Sequence, residues 1–399
     1  MTPFTAALRR ELAWLSRSRW DLALLTLAPL LALLALGAIF IEGSARELPI
    51  AVVDADHSPL SRQLARNLRA SAQVQVAAEP AQLDEAWTLA RRTTVWAVVL
   101  IPEGLQREVL AGRQGQVLVY QNAAFYSVGA LAGRGVDAAV SALQQQVLPD
   151  LARARNLPAA LRIQVPRIQA TMLFNPQLSY EWFLEALLQP GILHVLLSCA
   201  VVVALGRELG ATAREGAAGW LDECRGTGLA GAAGALAGKL FPYVIVFTAW
   251  QAAGTAWLCG WRGWGVHGSL AMLLAGQLAL YASYAAVAAV VALVVRDTYT
   301  ALSAVALYGG PAMTFSDATL PVIGAPLFTR IWSQALPFSH YVKLQMEQMF
   351  MGASAAVSLP WLGIMAAVAL VMFWLAALLL ALLARPARQP ASTPVTGSP

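Results

Sequence analysis

The sequence predicts an α-helical membrane protein with six transmembrane helices and a small extracytoplasmic α/β domain. The 399-residue chain is 58% hydrophobic and only 12% charged, which is far from the usual composition of soluble domains. Six apolar runs are long enough to cross a bilayer: 21–41, 184–206, 237–258, 270–295, 299–316 and 359–384. Between the first two runs, short β-type segments alternate with helical ones, which is typical of an α/β domain.

The chain begins with a segment, 1–20, in which apolar and arginine residues alternate at helical spacing. This pattern predicts an amphipathic helix in the cytoplasmic interface. The first span, 21–41, is longer than the apolar core of a signal peptide, so we interpret it as an uncleaved membrane anchor. Positive charges flank alternate spans and predict cytoplasmic N- and C-termini: Arg9, Arg10, Arg17, Arg19, Arg207, Arg214, Arg225, Lys239, Arg296, Arg385 and Arg388.

The segment 42–183 is the predicted extracytoplasmic α/β domain. It starts with strand-like LPIAVVD (48–54) and ends with a long helical stretch, 124–156, that we interpret as a stalk. Asp54, Asp56, His57 and Ser58 crowd together after the first strand. They fit either a catalytic or metal site or a strand-to-helix turn with Ser58 as N-cap; few other candidate ligands occur in the domain, which favours the turn.

The segment 184–384 holds the five further spans, with re-entrant external helices predicted at 317–358, and 385–399 is a Pro- and Ser-rich tail predicted to be disordered. Ionisable residues at membrane depth are costly and invite a functional hypothesis. A substrate path or gate is therefore predicted, although carboxylates at the mouth of a span are also consistent with simple solvation. Its candidate residues are Glu185, His194, Gly309, Gly310, Pro311 and Asp317.

No catalytic or nucleotide-binding motif stands out. The nearest approach to a P-loop is AGALAGKL, in which Ala233 replaces the first glycine and Leu240 the Ser or Thr. Cys199, Cys224 and Cys259 do not have the spacing of a zinc site or a disulfide framework. The net charge of +5 is too small and too scattered for a nucleic-acid surface, so we expect no metal and no nucleic acid.

Four stretches, taken in order, resemble the type-2 ABC exporter permeases, in particular the drug-efflux-like branch with a large extracytoplasmic domain between the first two spans. They are VVDADHSPLSRQL, VVLIPEGLQREVLAG, FNPQLSYEWFLEALLQPGIL and LPFSHYVKLQMEQMFMGAS. The resemblance implies a permease subunit in a bacterial inner membrane that exports a hydrophobic or amphiphilic substrate. It also implies a second permease chain, identical or different, and a separate ATP-binding-cassette ATPase subunit that holds ATP and magnesium.

The same resemblance implies a cytoplasmic loop that contacts the ATPase after the second span. Two motifs compete for this role, RELGATA (207–213) and CRGTG (224–228), so the coupling residues are drawn from both: Arg207, Glu208, Thr212, Arg214, Glu215 and Arg225. An envelope adaptor protein is a further partner that the extracytoplasmic domain would suit.

Two other classes of protein fit parts of the sequence. A membrane-anchored sensor or scaffold would use the α/β domain to bind a ligand or envelope partner, but it needs a sizeable cytoplasmic output module, and the largest predicted cytoplasmic segment is the loop near 207–239. An intramembrane enzyme needs paired catalytic groups at one depth, and the sequence offers no clear partner for His194. We therefore predict a transport subunit that is not itself an enzyme.

Overall fold

A computed structural model describes residues 2–40, 47–111, 113, 115–122, 126–154, 179, 181–214, 220–224, 226–319 and 322–384. The chain divides into two compact units. One comprises Met1–Gly43 and Met172–Pro399, and the other comprises Ser44–Thr171.

The first unit opens with helices α1 (Pro3–Leu15), α2 (Arg19–Leu25) and α3 (Leu27–Ile39). The second unit follows with β1 (Leu48–Asp54), α4 (Pro59–Arg69), β2 (Val74–Ala78), α5 (Leu83–Arg91), β3 (Ala97–Ile101), α6 (Leu105–Leu110), β4 (Leu118–Gln121) and α7 (Tyr126–Ala154). The chain then returns to the first unit with a π-helical turn (Glu181–Glu185), α8 (Ala186–Arg214), α9 (Trp220–Glu223), α10 (Gly228–Ala256), a π-helical turn (Trp257–Trp261), α11 (Leu270–Val295), α12 (Thr298–Gly309), a 3-10 turn (Gly310–Met313), α13 (Leu327–Ala335), α14 (Pro337–Gln345), a π-helical turn (Met346–Phe350) and α15 (Ala355–Leu383).

The second unit is a four-stranded sheet with helices on both faces. The strand order is β2-β1-β3-β4, in which β1 is parallel to both β2 and β3, whereas β4 is antiparallel to β3. Successive side chains of a strand point to opposite faces, so Ile50 and Val52 pack on one side with Leu64 of α4, while Val53 packs on the other side with Ala86 of α5. Burial of both faces explains why β1 and β3 have nearly continuous apolar sequences.

Five helices among the described residues are long and apolar enough to cross a membrane: Arg19–Ile39, which joins α2 and α3, and then Glu181–Gly210, Gly228–Trp261, Leu270–Val295 and Ala355–Leu383. They correspond to five of the six predicted spans. Within this unit α11 lies at the centre and packs on α8, α10, α14 and α15. Small buried residues such as Ala285, Ala288 and Ala292 line α11, as expected where membrane helices approach closely.

The sixth predicted span, 299–316, is not confirmed. The structure has a 12-residue α-helix there, α12, followed by the short 3-10 turn. A helix of that length rises about 18 Å, which is less than the roughly 30 Å of a hydrocarbon core. The helix ends where Gly309 and Gly310 precede Pro311, because proline cannot donate the backbone hydrogen bond that the next helical turn needs.

Candidate functional site

The crowded turn after β1 is occupied by hydrogen bonds that build the α/β fold. One carboxylate oxygen of Asp54 accepts the backbone N–H groups of Asp56 and His57 at 3.0 Å each, and the other accepts the Ser61 hydroxyl at 2.7 Å. Ser58 caps α4 in a reciprocal capping box with Ser61. These contacts support the turn interpretation of the sequence.

Asp56 joins this turn to the start of α6. Its two carboxylate oxygens accept the backbone N–H groups of Gly104 at 2.8 Å and of Gln106 at 3.1 Å. Burial opposes ionisation of Asp56, but the Ser58 hydroxyl and these N–H groups outweigh it and lower the pKa of the carboxyl. The charged form of Asp56 is therefore part of the fold.

Among the described residues of the first unit, the most highly charged buried site lies where α1, α2, α8 and α10 meet. We call it the Lys239 cluster, and it consists of Glu11, Asp21, Arg207, Glu208, Lys239 and Tyr243.

Lys239 and Glu11 form the centre of the Lys239 cluster. The exposed fraction of Lys239 is 2% and that of Glu11 is 1%. The Lys239 ammonium donates to Glu11 at 2.6 Å and to Glu208 at 2.9 Å, and the Tyr243 hydroxyl donates to Glu11 at 2.5 Å. The ammonium also lies 5.4 Å from the centre of the Trp220 ring. Charges are tolerated at this depth because each is paired and hydrogen-bonded.

Arg207 extends the pairing to α2. One guanidinium nitrogen donates to Glu11 at 2.8 Å and another to Asp21 at 2.7 Å, while the Trp14 indole N–H also donates to Asp21. The guanidinium stacks over the Trp14 ring, 4.3 Å from its centroid. This fork geometry uses the planar guanidinium in a way that a lysine could not reproduce.

Gly238 allows α1 to lie close enough for these contacts. A Cβ atom at Gly238 would lie 2.3 Å from the carbonyl oxygen of Phe4 and 3.1 Å from Cβ of Ala7. The Gly-Lys pair of AGALAGKL, which does not match a P-loop, thus has a packing role and an ion-pairing role. Burial opposes ionisation of Glu11, but the charges of Lys239 and Arg207 outweigh it and lower the pKa of the Glu11 carboxyl.

The structure describes the side chains of two of the six predicted ATPase-coupling residues. Arg207 and Glu208 point into the Lys239 cluster and bind partners of this same chain. Thr212 and Arg214 lie in the last turn of α8, but their side chains are outside the described part of the chain, as are residues Glu215 and Arg225. Contact of these six residues with an ATPase stays a prediction.

The sequence interpretation missed the role of Glu11. The residue follows Ala7 and precedes Leu15 at four-residue spacing, and all three are buried on one face of α1. An acidic residue on the apolar face of an amphipathic helix signals a buried partner. That signal was available, but the partner, Lys239, is 228 positions away in the sequence.

A second buried polar site surrounds the start of α8. We call it the Glu185 cluster, and it consists of Glu185, Gln189 and Gln345, all with an exposed fraction of 1% or less. Glu185 accepts a hydrogen bond from the Gln189 amide at 3.1 Å, and Gln345 donates to the carbonyl of Ala186 at 2.7 Å. Nearby, Glu181 binds the guanidinium of Arg262 through both of its oxygens.

Two of the predicted path and gate residues are in contact. His194 faces the carbonyl oxygens of Pro190 at 2.8 Å and of Gly309 at 3.2 Å, so the structure brings His194 and Gly309 together. A Cβ atom at Gly310 would meet nothing within 4 Å. Pro311 begins a turn by accepting the Thr314 N–H at 2.9 Å.

Asp317 is exposed. It has a positive φ of 67°, and its carboxylate accepts the Val322 N–H at 2.7 Å. Asp317 therefore closes a local loop. Neither substrate contact nor gating by these residues is tested by the geometry, and both stay predictions.

Three π-helical turns lie around Trp182, the second residue of the first of them. Trp182 stacks on Trp264, with ring centroids 5.1 Å apart, and packs against Phe350 at 4.3 Å. Phe350 ends the π-helical turn after α14, and Trp264 follows the one after α10. Single π-helical turns inside helices occur often at functional sites. The Glu185 cluster thus begins at an irregular junction of three helices.

Within the described ranges, no group of three or more His, Cys, Asp or Glu side chains is placed to hold a metal ion. The chain matches a family model described as ABC-2 family transporter protein over residues 19–378. No curated protein and no solved structure matches it.

Proposed function

The chain belongs to the ABC-2 family of transporter proteins, and on that premise we propose that it is the permease subunit of an ATP-driven exporter. Members of this family are membrane subunits without a nucleotide site of their own, and membership implies an ATPase partner. The proposal adds direction, cargo and location: a hydrophobic or amphiphilic substrate moves outward across a bacterial inner membrane. ATP and magnesium are bound by the separate ATPase subunit.

The observation that carries the coupling part of this proposal is the Lys239 cluster. Its ion pairs attach the C-terminal part of α8 to α1 and α10 through Arg207, Glu208 and Lys239. A push on the last turn of α8 would move three helices together, because separating them would leave buried charges unpaired. We propose that the ATPase acts on the end of α8 and the residues that follow it, including Thr212, Arg214, Glu215 and Arg225.

A second permease chain, identical or different, completes the proposed transporter. In the spans Arg19–Ile39 and Ala355–Leu383 only 17% of the most apolar window is buried within the chain, against 56–61% in the other three. These two outer spans offer apolar surface to lipid and to a second chain. We propose that cargo passes beside Glu185 and His194 and leaves past the break at Gly309, Gly310 and Pro311.

The loop at Asp317 belongs to the same proposed exit. Replacement of Gly310 by Ala and of Asp317 by Asn tests it, because neither substitution meets a tightly packed neighbour. Unchanged transport by both variants in a reconstituted complex would remove the gate assignment. The extracytoplasmic location of the α/β unit, the cytoplasmic location of both termini and the docking of an envelope adaptor belong to the proposal as well.

The decisive experiment first looks for an ATP-binding-cassette ATPase encoded beside the gene of this chain, then co-expresses the two proteins and purifies the complex in detergent. We expect the two proteins to purify together and the permease to change the rate of ATP hydrolysis after reconstitution into lipid vesicles. An ATPase from an unrelated transporter serves as the control. A chain that neither binds its neighbouring ATPase nor alters its turnover would contradict the proposal and favour a membrane-anchored sensor or scaffold.

A further inference from the structure

A cleft in the α/β unit lies between α5 and the β4 edge of the sheet. Its volume is about 430 Å³, which is within the range of roughly 300–1,000 Å³ that is usual for pockets that bind small organic molecules. We call it the Trp87 cleft. Its walls come from α5, from the turn after α5 and from the paired strands β3 and β4, and the side chains that matter below are Trp87, Arg91, Thr93, Val98 and Tyr120.

The cleft exists because one short helix covers this face of the sheet. Neighbouring strands lie about 4.8 Å apart, so the outer strands of a four-stranded sheet are roughly 15 Å apart, whereas a helix is about 10 Å wide. The nine-residue helix α5 packs on β1 and β3. Tyr120 of β4 is paired with Val98 of β3, and both pack with Ala86 of α5 on this face. The β4 side of the face is therefore left open beside α5.

Two aromatic side chains form the apolar wall of the Trp87 cleft. The rings of Trp87 and Tyr120 are edge to face, with centroids 4.9 Å apart and an interplanar angle of 60°. Both side chains are only half-buried. Aromatic rings of this kind offer a large apolar surface against which a flat ligand can stack. The wall therefore favours a ligand with a flat apolar body.

Arg91 is the only residue with a formal charge among the described residues that line the Trp87 cleft. It is exposed, and its guanidinium has no hydrogen bond or ion pair with any residue that the structure describes. Four other arginines of the same unit each bind a group of this chain: Arg62, Arg66, Arg69 and Arg113. The Arg91 guanidinium is thus available to a ligand, and its charge favours an anion.

The acidic residues near α5 line a different groove. On the β2 side of the helix, a second groove is lined by Glu79 and Glu85, and Glu79 is paired with Arg69. No described acidic side chain lines the Trp87 cleft. The two sides of α5 therefore differ in charge, and a cationic ligand would meet repulsion from Arg91 in the Trp87 cleft without a carboxylate to compensate.

The turn that follows Arg91 holds an uncommon backbone conformation. Thr93 has a φ of 56°, which is rare for a β-branched residue. The turn is closed by the Thr93 N–H, which donates to the Ala90 carbonyl at 3.1 Å, and by the Thr94 N–H, which donates to the Leu89 carbonyl at 3.0 Å. Residues in such conformations are concentrated at ligand-binding sites. The position of Thr93 in the wall of the cleft agrees with a binding role.

We propose that the Trp87 cleft binds an amphiphilic organic anion, whose flat apolar body lies against Trp87 and Tyr120 and whose carboxylate or sulfonate pairs with Arg91. A guanidinium matches such oxyanions with two parallel hydrogen bonds. The strand β4 has only four residues, so a peptide strand added at this edge would gain few backbone hydrogen bonds. The site goes beyond the proposed export function and needs no ATPase, so the two can fail separately.

The test is isothermal titration calorimetry on the purified full chain in lipid nanodiscs. The probe is naphthalene-2-sulfonate, and two probes with the same rings but different charge are the neutral 2-naphthalenemethanol and the cationic 2-naphthylmethylammonium. Empty nanodiscs are titrated as the blank, because apolar probes also enter lipid. We expect saturable binding of one sulfonate per chain, and weaker binding of the neutral and cationic probes.

Three variants connect the binding to these residues. Arg91→Gln removes the charge and Trp87→Leu removes the stacking surface, and each should raise the Kd of the sulfonate about tenfold. Arg92→Gln is the matched control, because Arg92 is the next residue, is also exposed and does not line the cleft. It removes the same charge and should keep the Kd of the unmodified chain. The Tm of each variant shows that it is folded.

No saturable binding of the sulfonate above the empty nanodiscs would overturn the proposal and leave the cleft as a surface for another protein. Tighter binding of the ammonium probe would also overturn it. Equal weakening by Arg91→Gln and Arg92→Gln would show that net charge and not the cleft attracts the anion. An unchanged Kd in Trp87→Leu would contradict the assigned aromatic wall.

Discussion

The Lys239 cluster and the Glu185 cluster are both buried in the first unit, and both involve α8. They differ in how completely their buried polar atoms are hydrogen-bonded. About 27 Å of helix separates Gln189 from Arg207, at 1.5 Å per residue. In the Lys239 cluster, Glu11 accepts from three donors supplied by Lys239, Arg207 and Tyr243. In the Glu185 cluster, one side-chain oxygen each of Glu185, Gln189 and Gln345 has no hydrogen-bond partner among the described residues.

The difference indicates two roles. Side chains that satisfy one another hold helices in one arrangement, because any separation exposes unpaired charge to a low-dielectric interior. Side chains that leave oxygens without a partner gain less from holding their helices in one arrangement. We therefore assign mechanical connection to the Lys239 cluster, and we expect the Glu185 cluster to contribute less to stability. Substitutions in the two clusters should therefore differ in how much they lower the free energy of unfolding.

The largest effect is expected from Lys239→Met. The substitution leaves Glu11 and Glu208 without their common cation and should destabilise the fold by about 3–5 kcal/mol. Lys343→Met is the matched control, because Lys343 makes a cation–π contact with Trp361 at 4.9 Å and should cost about 1 kcal/mol or less. Thermal unfolding in detergent measures both. Equal losses in the two variants would show that the Lys239 cluster contributes nothing special.

Gly238→Ala should have the next largest effect. The added methyl group would meet the Phe4 carbonyl at 2.3 Å and push α1 away from α10, at a cost of about 1–3 kcal/mol. Gly363→Ala in α15 is the control, since a Cβ there meets nothing within 4 Å. A stable Gly238→Ala protein with unchanged ion pairs would contradict the tight contact between α1 and α10.

Lowering the pH should destabilise the fold, because protonation of Glu11 removes the negative charge at the centre of the Lys239 cluster. Its carboxyl has a pKa below the ordinary value of 4.5, so its contribution to stability is present above that value and is lost as the pH falls through the folded-state pKa. The Tm of the unmodified chain should therefore drop in this acidic range. Glu11→Gln should be less stable at pH 7 and should show a shallower drop. An identical pH profile in the two proteins would contradict this assignment.

The smallest effect is expected from Glu185→Gln. Glu185 accepts a hydrogen bond from the neutral Gln189 amide, and the substitution keeps a polar group of the same size, so the free energy of unfolding should change by about 1 kcal/mol or less. The loss in the free energy of unfolding should be smaller for Glu185→Gln than for Glu11→Gln, which removes the acceptor at the centre of the Lys239 cluster. A loss as large as that of Lys239→Met would mean that Glu185 is paired within the protein.

Much of the secondary structure follows from local pattern. The alternating and continuous apolar runs predicted β1 at 48–54, and Ser58 with Pro59 predicted the start of α4. The long apolar runs predicted the five spans because their length is a local property. The break after α12 was visible as Gly309, Gly310 and Pro311, but its consequence for a sixth span was not.

The sites were harder to predict because their partners are distant in the sequence. Arg207 and Lys239 looked like charges that orient the chain in the membrane, and only the packing of α1 on α10 shows that both bind Glu11. Glu185 was selected as an ionisable residue at a span, but Gln345, whose amide donates to the carbonyl of the adjacent Ala186, comes from a helix whose packing no local pattern contains.

The most direct test of the proposed coupling is the rate of ATP hydrolysis by the reconstituted complex, compared between Lys239→Met and Lys343→Met at a temperature at which both permeases are folded. We expect both variants to bind the ATPase, and we expect only Lys343→Met to change ATP turnover as the unmodified chain does. A Lys239→Met complex with the turnover of the unmodified complex would contradict the central claim that the Lys239 cluster connects the ATPase to the membrane helices.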